Sequence, residues 1–206
     1  MLNNANISEL ANRVKARLSP KRYMHTEGVK KCAELLGSRL LPDALKELSA
    51  AALLHDISKE LTWEEQLSII SVSGFPITDE DLTTPRVIHS FTAPYVIKRD
   101  FPEYATADIL SAVENHTVGK ADMSVFDKII FLSDYIEENR TFESCLRVRE
   151  FMLKDFSSIP DDMLISRLNE ACVLAIEGAE AALMRMDHPI NSRMIEAKKS
   201  LLSQKM

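Results

Sequence analysis

The chain has 206 residues, enough for one domain whose core needs no disulfide or structural metal. Apolar residues make up 46% and charged residues 27%, a composition that excludes a disordered chain. Against 25 Lys and Arg stand 31 Asp and Glu, so the net charge of −6 leaves no basic field to draw the surface onto nucleic acid or an anionic membrane.

Helical start and stop signals recur along the chain, and strand alternation does not. Ser8 is placed to cap a first helix reaching about Leu18, and Ser19-Pro20 to open a second from Pro20 to Leu40. Apolar residues at helical spacing predict a third over Asp43 to Leu54. Thr62-Trp63-Glu64-Glu65 has the form of a capping box, opening a helix that Gly74 closes. Thr84-Pro85 opens the next, through about Arg99. Helices over Pro102 to Asn115, Met123 to Glu138, Glu143 to Lys154, Pro160 to Met186 and Pro189 to Ser203 complete the series. No repeat and no Gly- or Ser-rich linker interrupts them. The expected fold is a single all-α bundle of irregular topology.

Met1 to Asn6 lacks the cationic-then-apolar pattern of a signal peptide, and the longest apolar run, Ala50 to Leu54, is far too short to span a membrane. Cys32, Cys145 and Cys172 are odd in number and far apart, as reduced thiols of a cytoplasmic protein are. A cytoplasmic location is expected.

The five glycines are too scattered for GxGxxG or a P-loop, and neither GxSxG nor HExxH occurs. If phosphate is handled here, metal and side chains must do it. Four of the five histidines, His25, His55, His89 and His116, lie in or at the ends of predicted helices. His55 is followed at once by Asp56, at the end of the apolar segment Ala50 to Leu54. Two polar groups buried there must find partners or cost a few kcal/mol, and one divalent cation satisfies both. Imidazole nitrogen with carboxylate oxygen suits Fe, Mn, Co, Ni or Zn better than Ca. Asp134 is a second carboxylate inside an apolar helix, Ile130 to Ile136. A single histidine on a helix is more often structural than a ligand, and His188, beside Pro189 at a predicted helix start, is read that way. The ordered set of His25, His55-Asp56, His89, His116 and Asp134 says more than its parts.

That order on an all-α chain resembles the HD superfamily of metal-dependent phosphohydrolases. Within it, four segments resemble motifs of the YqeK-type symmetrical bis(5'-nucleosyl)-tetraphosphatases. They are Arg22-Tyr23-Met24-His25-Thr26-Glu27-Gly28-Val29, Leu53-Leu54-His55-Asp56-Ile57-Ser58-Lys59-Glu60, His116-Thr117-Val118-Gly119 with Asp127-Lys128-Ile129-Ile130, and Ser133-Asp134-Tyr135-Ile136-Glu137 with Arg140. The chain departs from that branch at Glu138, where proline is usual, at Ser133, where alanine is, and at Ser90, where glycine often is.

The resemblance implies an HD-domain helical bundle forming one domain over 1–206, its motif core at about 20–140 and the helices of 143–203 packed on it. It implies that His25, His55, Asp56 and Asp134 bind iron, as one or two ions with Mn, Co or Ni as substitutes. Asp56 and Lys59 become the candidate catalytic residues. His25, His89, His116, Thr117, Asp134 and Arg140 would face the substrate, with His89 and His116 also able to ligate a second metal. The implied reaction cleaves dinucleoside tetraphosphates such as diadenosine tetraphosphate to two ADP, by attack of metal-activated water. An acidic protein needs a local cationic cluster for such a substrate, and the metal, Lys59, Arg140 and the imidazoles can supply one. Two other readings are another HD nucleotide phosphohydrolase, acting on a monophosphate or a dNTP, and a non-catalytic metal and nucleotide sensor. The expected partner is a small dinucleoside polyphosphate or nucleotide, not nucleic acid or membrane, and a homodimer stays open.

Overall fold

The computed structural model describes residue 2 and residues 6–204, so most of the expected leaderless N-terminus, Met1 and 3–5, lies outside the described residues. Eleven α-helices and no strand are found among them. The first four are α1 (Ile7–Lys15), α2 (Pro20–Leu40), α3 (Leu45–Leu54) and α4 (Trp63–Ser73). Then come α5 (Asp79–Leu82), α6 (Ile88–Asp100), α7 (Ala107–Asn115) and α8 (Val125–Ile136), followed by α9 (Glu143–Leu153), α10 (Asp161–Arg185) and α11 (Ser192–Ser203).

Most boundaries follow from caps. Pro20 begins α2 and Thr62 closes a reciprocal capping box with Glu65. Gly74 ends α4 at φ 68°, the left-handed conformation that costs glycine least. Where expectation and structure differ, a cap was misread. Asn6, not Ser8, caps α1, its side chain accepting from Ser8 N and Glu9 N, and the helix ends at Lys15 rather than Leu18. Ser19 makes no cap hydrogen bond, because its backbone N–H and its hydroxyl both donate to Glu60. The helix expected from Pro102 is split: Pro102–Tyr104 is a 3₁₀ turn, and Thr106 then caps α7 by accepting from Ile109 N. Pro42–Ala44 and Pro85–Val87 are likewise 3₁₀ turns ahead of α3 and α6. α5 was not foreseen, although Thr78 and Asp81 form its capping box. The last helix starts at Ser192, three residues after the expected Pro189, because Asn191 is its cap.

α2, α3, α7 and α8 pack on one another to form the centre, with α6 against α7 and α10 against α8, α9 and α2. Core residues such as Leu36, Leu53, Ile109 and Ile130 are fully buried there. α3 is enclosed over its last seven residues, so its C-terminal end delivers His55 and Asp56 into the interior. α11 leans on α10. Its start is held to α5, where Asp81 Oδ1 accepts from Asn191 Nδ2 at 3.0 Å and Glu80 accepts from Ser192 N at 2.8 Å. No helix among the described residues is long and apolar enough to cross a membrane.

Candidate metal centre

Four helices and the turn after α3 bring the candidate ligands together. His25 stands mid-way along the first half of α2, His55 at the C-cap of α3 with Asp56 next to it, His116 at the C-cap of α7 and Asp134 near the end of α8. His25 Nε2 lies 2.9 Å from Asp134 Oδ1, and His55 Nε2 lies 3.6 Å from Asp56 Oδ2 and 4.0 Å from Asp134 Oδ1. Two groups could each hold an ion, one of His25, His55 and Asp134, the other of His55, Asp56 and His116. His55 belongs to both.

The donor set fits a metal. His55 is 0% exposed, yet its Nε2, like that of His25, has no hydrogen-bond partner. An orphaned buried nitrogen costs on the order of 1–3 kcal/mol unless something accepts its lone pair. The other nitrogen of each ring is engaged in a way that aims that lone pair. His55 Nδ1 donates to Ala52 O and His116 Nδ1 to Val113 O, both at 2.7 Å, and His25 Nδ1 donates to Glu137 Oε1 at 3.1 Å. Outer partners of this kind fix the tautomer and orientation of ligand imidazoles.

Electrostatics leave His55, Asp56 and Asp134 in their binding forms, whereas at His25 burial acts to lower the imidazole pKa but Asp134 and Glu137 outweigh it and raise it. Burial pushes the His55 imidazole down to about 4 and His89 down to about 3, so both are neutral near pH 7. Burial works to raise Asp56, but His55, His116 and His89 hold its carboxyl well below the usual range. Asp134 is likewise held down against its burial by Arg140 and His25.

A second cluster adjoins the first. His89, on the first turn of α6, places Nε2 3.0 Å from Asp56 Oδ1 and 3.1 Å from His116 Nε2. Lys59 Nζ sits 2.9 Å from both nitrogens of the His89 ring, and burial lowers its ammonium pKa. Thr117 Oγ1 is 3.2 Å from His116 Nε2. Arg140 donates from Nη2 to Asp134 Oδ1 at 2.7 Å and from Nε to Asp134 O at 3.0 Å. Every candidate from the sequence is thus near the centre. The departure at Glu138 leaves Arg140 in reach, since Glu138 is exposed and pairs with Lys31 at 2.7 Å.

Two residues of the site had been given no role. Arg22 Nη1 donates to Asp56 Oδ2 at 2.8 Å, and the Glu137 carboxylate, 1% exposed, supports His25 and accepts from Asn139 N at 2.7 Å. Both lay inside the quoted motifs. Arg22, three positions before His25 on one helix face, and a glutamate closing an apolar helix were the signals available. Gly28 permits the Glu137 contact, because a Cβ there would overlap the Glu137 carboxylate.

Two cavities border the centre. One, of about 540 Å³, is mainly apolar and lies between the 83–87 segment, α10 and the start of α11, with Thr117 and Arg140 on its wall. His188, read from sequence as structural, is exposed and lines it. The other, of about 570 Å³, is polar and includes Arg22, His25 and Arg140.

The sequence matches the HD domain family over residues 22–139. It is 32% identical over 177 residues to the symmetrical bis(5'-nucleosyl)-tetraphosphatase of Bacillus subtilis, covering 86% of this chain and 87% of that protein. It is 33% identical over 140 residues to a probable nicotinate-nucleotide adenylyltransferase/Ap4A hydrolase of Mycoplasma genitalium, covering 68% of this chain and 39% of that protein. A crystal structure from Clostridium acetobutylicum, described as a predicted HD superfamily hydrolase involved in NAD metabolism, superposes with a TM-score of 0.82 at 25% identity, covering 98% of this chain and 99% of that one.

Proposed function

This chain belongs to the HD domain family, and we propose that it is a metal-dependent hydrolase that splits dinucleoside tetraphosphates symmetrically, diadenosine tetraphosphate giving two ADP. The observation that carries this reading is the convergence of His25, His55, Asp56, His116 and Asp134 on the unpartnered Nε2 of His55. The B. subtilis relative, similar over most of both chains, supports the choice of substrate.

His25, His55, Asp56 and Asp134 would hold a divalent transition metal, which their two nitrogen and two oxygen donors suit, and the resemblance to the tetraphosphatase branch makes iron the proposed ion, with Mn, Co or Ni as substitutes. Such an ion supplies a nucleophile from water at neutral pH and withdraws charge from a phosphoryl oxygen. The remaining work falls to the chain. Lys59 places an ammonium where charge accumulates on the phosphates, and Asp56 orients it through His89. A cation 2.9 Å from the His89 ring opposes a second metal there, which favours one ion with His89 and His116 turned to the substrate. Thr117 offers a hydroxyl to the same phosphates. Arg140, fixed by Asp134, neutralises them from the wall of the apolar cavity, which is large enough for one nucleoside.

Residues 1–206 would act as one HD-type domain. Its partner would be a small dinucleoside polyphosphate or nucleotide rather than nucleic acid or membrane, a homodimer remains open, and we place the protein in the cytoplasm. Product chromatography tests the reaction: diadenosine tetraphosphate should yield ADP as the sole nucleotide. ATP with AMP, or activity confined to monophosphates, would move the chain to another HD chemistry.

A further inference from the structure

The two cavities beside the candidate centre share Arg140 and no other lining residue. They are of nearly equal size, about 540 and 570 Å³, and each falls in the range of small-molecule sites. A substrate cut at its centre has two like halves to seat, and the apolar cavity has room for one nucleoside.

The polar cavity has what the other half requires. Arg22 reaches from its wall to Asp56, while its Nε is buried without a hydrogen-bond partner. Lys21, exposed one position before it on α2, makes no ion pair among the described residues. The two carboxylates on the same wall are already engaged, Glu60 by Ser19 and Glu137 by His25 and Asn139. At the rim stands Phe142, 70% exposed, with Met24, 53% exposed, also on the wall. A single exposed Phe needs no explanation by itself. One that lines a polar cavity carrying Lys21, Arg22 and Arg140, and reaching His25 of the candidate centre, pairs an aromatic face with phosphate-binding groups, the combination that binds a nucleotide.

We propose that this cavity receives the second nucleoside diphosphate half, with Arg22 and Lys21 on its phosphates and Phe142 stacked on its base. The inference rests on the proposed reaction and adds the residues that recognise the half farther from α11. The two halves are then held unequally, one by an apolar enclosure and the other by charge and a single open ring.

The test uses the full metal-loaded chain and two ligands, diadenosine tetraphosphate as substrate and adenosine 5'-tetraphosphate, with one nucleoside, as competitor. Phe142→Ala should lower kcat/KM for the dinucleoside by roughly 5- to 100-fold, the range of a lost base–aromatic stack. Phe142→Trp should retain it. Lys21→Ala should lower it by a smaller factor. The inhibition constant of the one-headed competitor, whose nucleoside sits in the apolar cavity, should change by less than about 2-fold in both Phe142 variants. An unchanged kcat/KM in Phe142→Ala, or equal weakening of both ligands, overturns the proposal while leaving the reaction intact. A wild-type chain that makes no ADP from diadenosine tetraphosphate overturns the reaction itself, and the second subsite falls with it.

Discussion

His55 and His116 are aimed by their own helices, whereas His25 is aimed from the far end of the motif core. The first two sit at helix C-caps, where the last carbonyls have no ladder partner, and each donates Nδ1 to a carbonyl three residues back. His25 lies inside α2, where the carbonyls around it are taken by the helix. Its Nδ1 therefore needs an outside acceptor, and Glu137, 112 residues later, provides one. A ligand at a helix end can be oriented by local sequence alone. A ligand within a helix depends on tertiary packing, here on Gly28 leaving room for the Glu137 carboxylate.

Substitutions can break this contrast at different depths. The largest effect is expected at the shared centre. Asp56→Ala removes a buried carboxylate that His55, His89, His116 and Arg22 all approach, and metal and activity should both disappear. Elemental analysis beside the assay checks this, and full metal occupancy would refute the ligand assignment. Arg140→Ala should lower kcat/KM by roughly one to three orders of magnitude, the cost of a lost charge-assisted contact, while metal content stays near normal. An unaltered rate would make Arg140 a structural partner of Asp134 only.

Glu137→Gln separates remote from local support. It should weaken metal binding by roughly 10- to 100-fold, as loss of an outer-shell partner does, with little change in thermal stability of the metal-free chain. Competition with a chelator measures the first and thermal unfolding the second, and unchanged metal affinity would show that α2 orients His25 unaided. The smallest effect on chemistry is expected at the α5–α11 clamp. Asp81→Ala strands Asn191 and Arg193 and should cost about 2 kcal/mol of stability, read by denaturant unfolding, with ligands undisturbed. Burial acts to raise Asp81, but hydrogen bonds from Asn191, Thr78 and Arg193 outweigh it and depress its pKa. Its stabilisation is therefore present above the ordinary carboxylate pKa of ~3.9 and lost as pH falls through the lower folded value. Acid unfolding that is identical in wild type and variant would remove Asp81 from that account.

The same contrast explains what could be read without coordinates. The bounds of α2 and α4 follow from Pro20, Thr62 and Gly74, all local signals. His55-Asp56 at the end of an apolar run announced itself because burying two such groups is costly. Glu137 and Arg22 were in view but had no evident partners, since only the packing of α2 against α8 and the turn after α3 supplies them. The split of the Pro102–Asn115 segment turns on Thr106, which favours an N-cap over a helix interior, while Pro102 four residues earlier gives a start signal of its own. The part of the apolar cavity wall that α10 supplies, Ala179, Ala182 and Leu183, carries no motif, and nothing in its periodicity distinguishes it from a core-facing stripe.

The most direct test of the central claim is hydrolysis of diadenosine tetraphosphate in water enriched in heavy oxygen, followed by mass analysis of the products. Attack on the phosphorus of one half, at the middle bridge, predicts ADP alone, with one molecule of each pair labelled on its terminal phosphate. Label in AMP or ATP, or ADP formed without label, would contradict symmetrical hydrolysis at this centre.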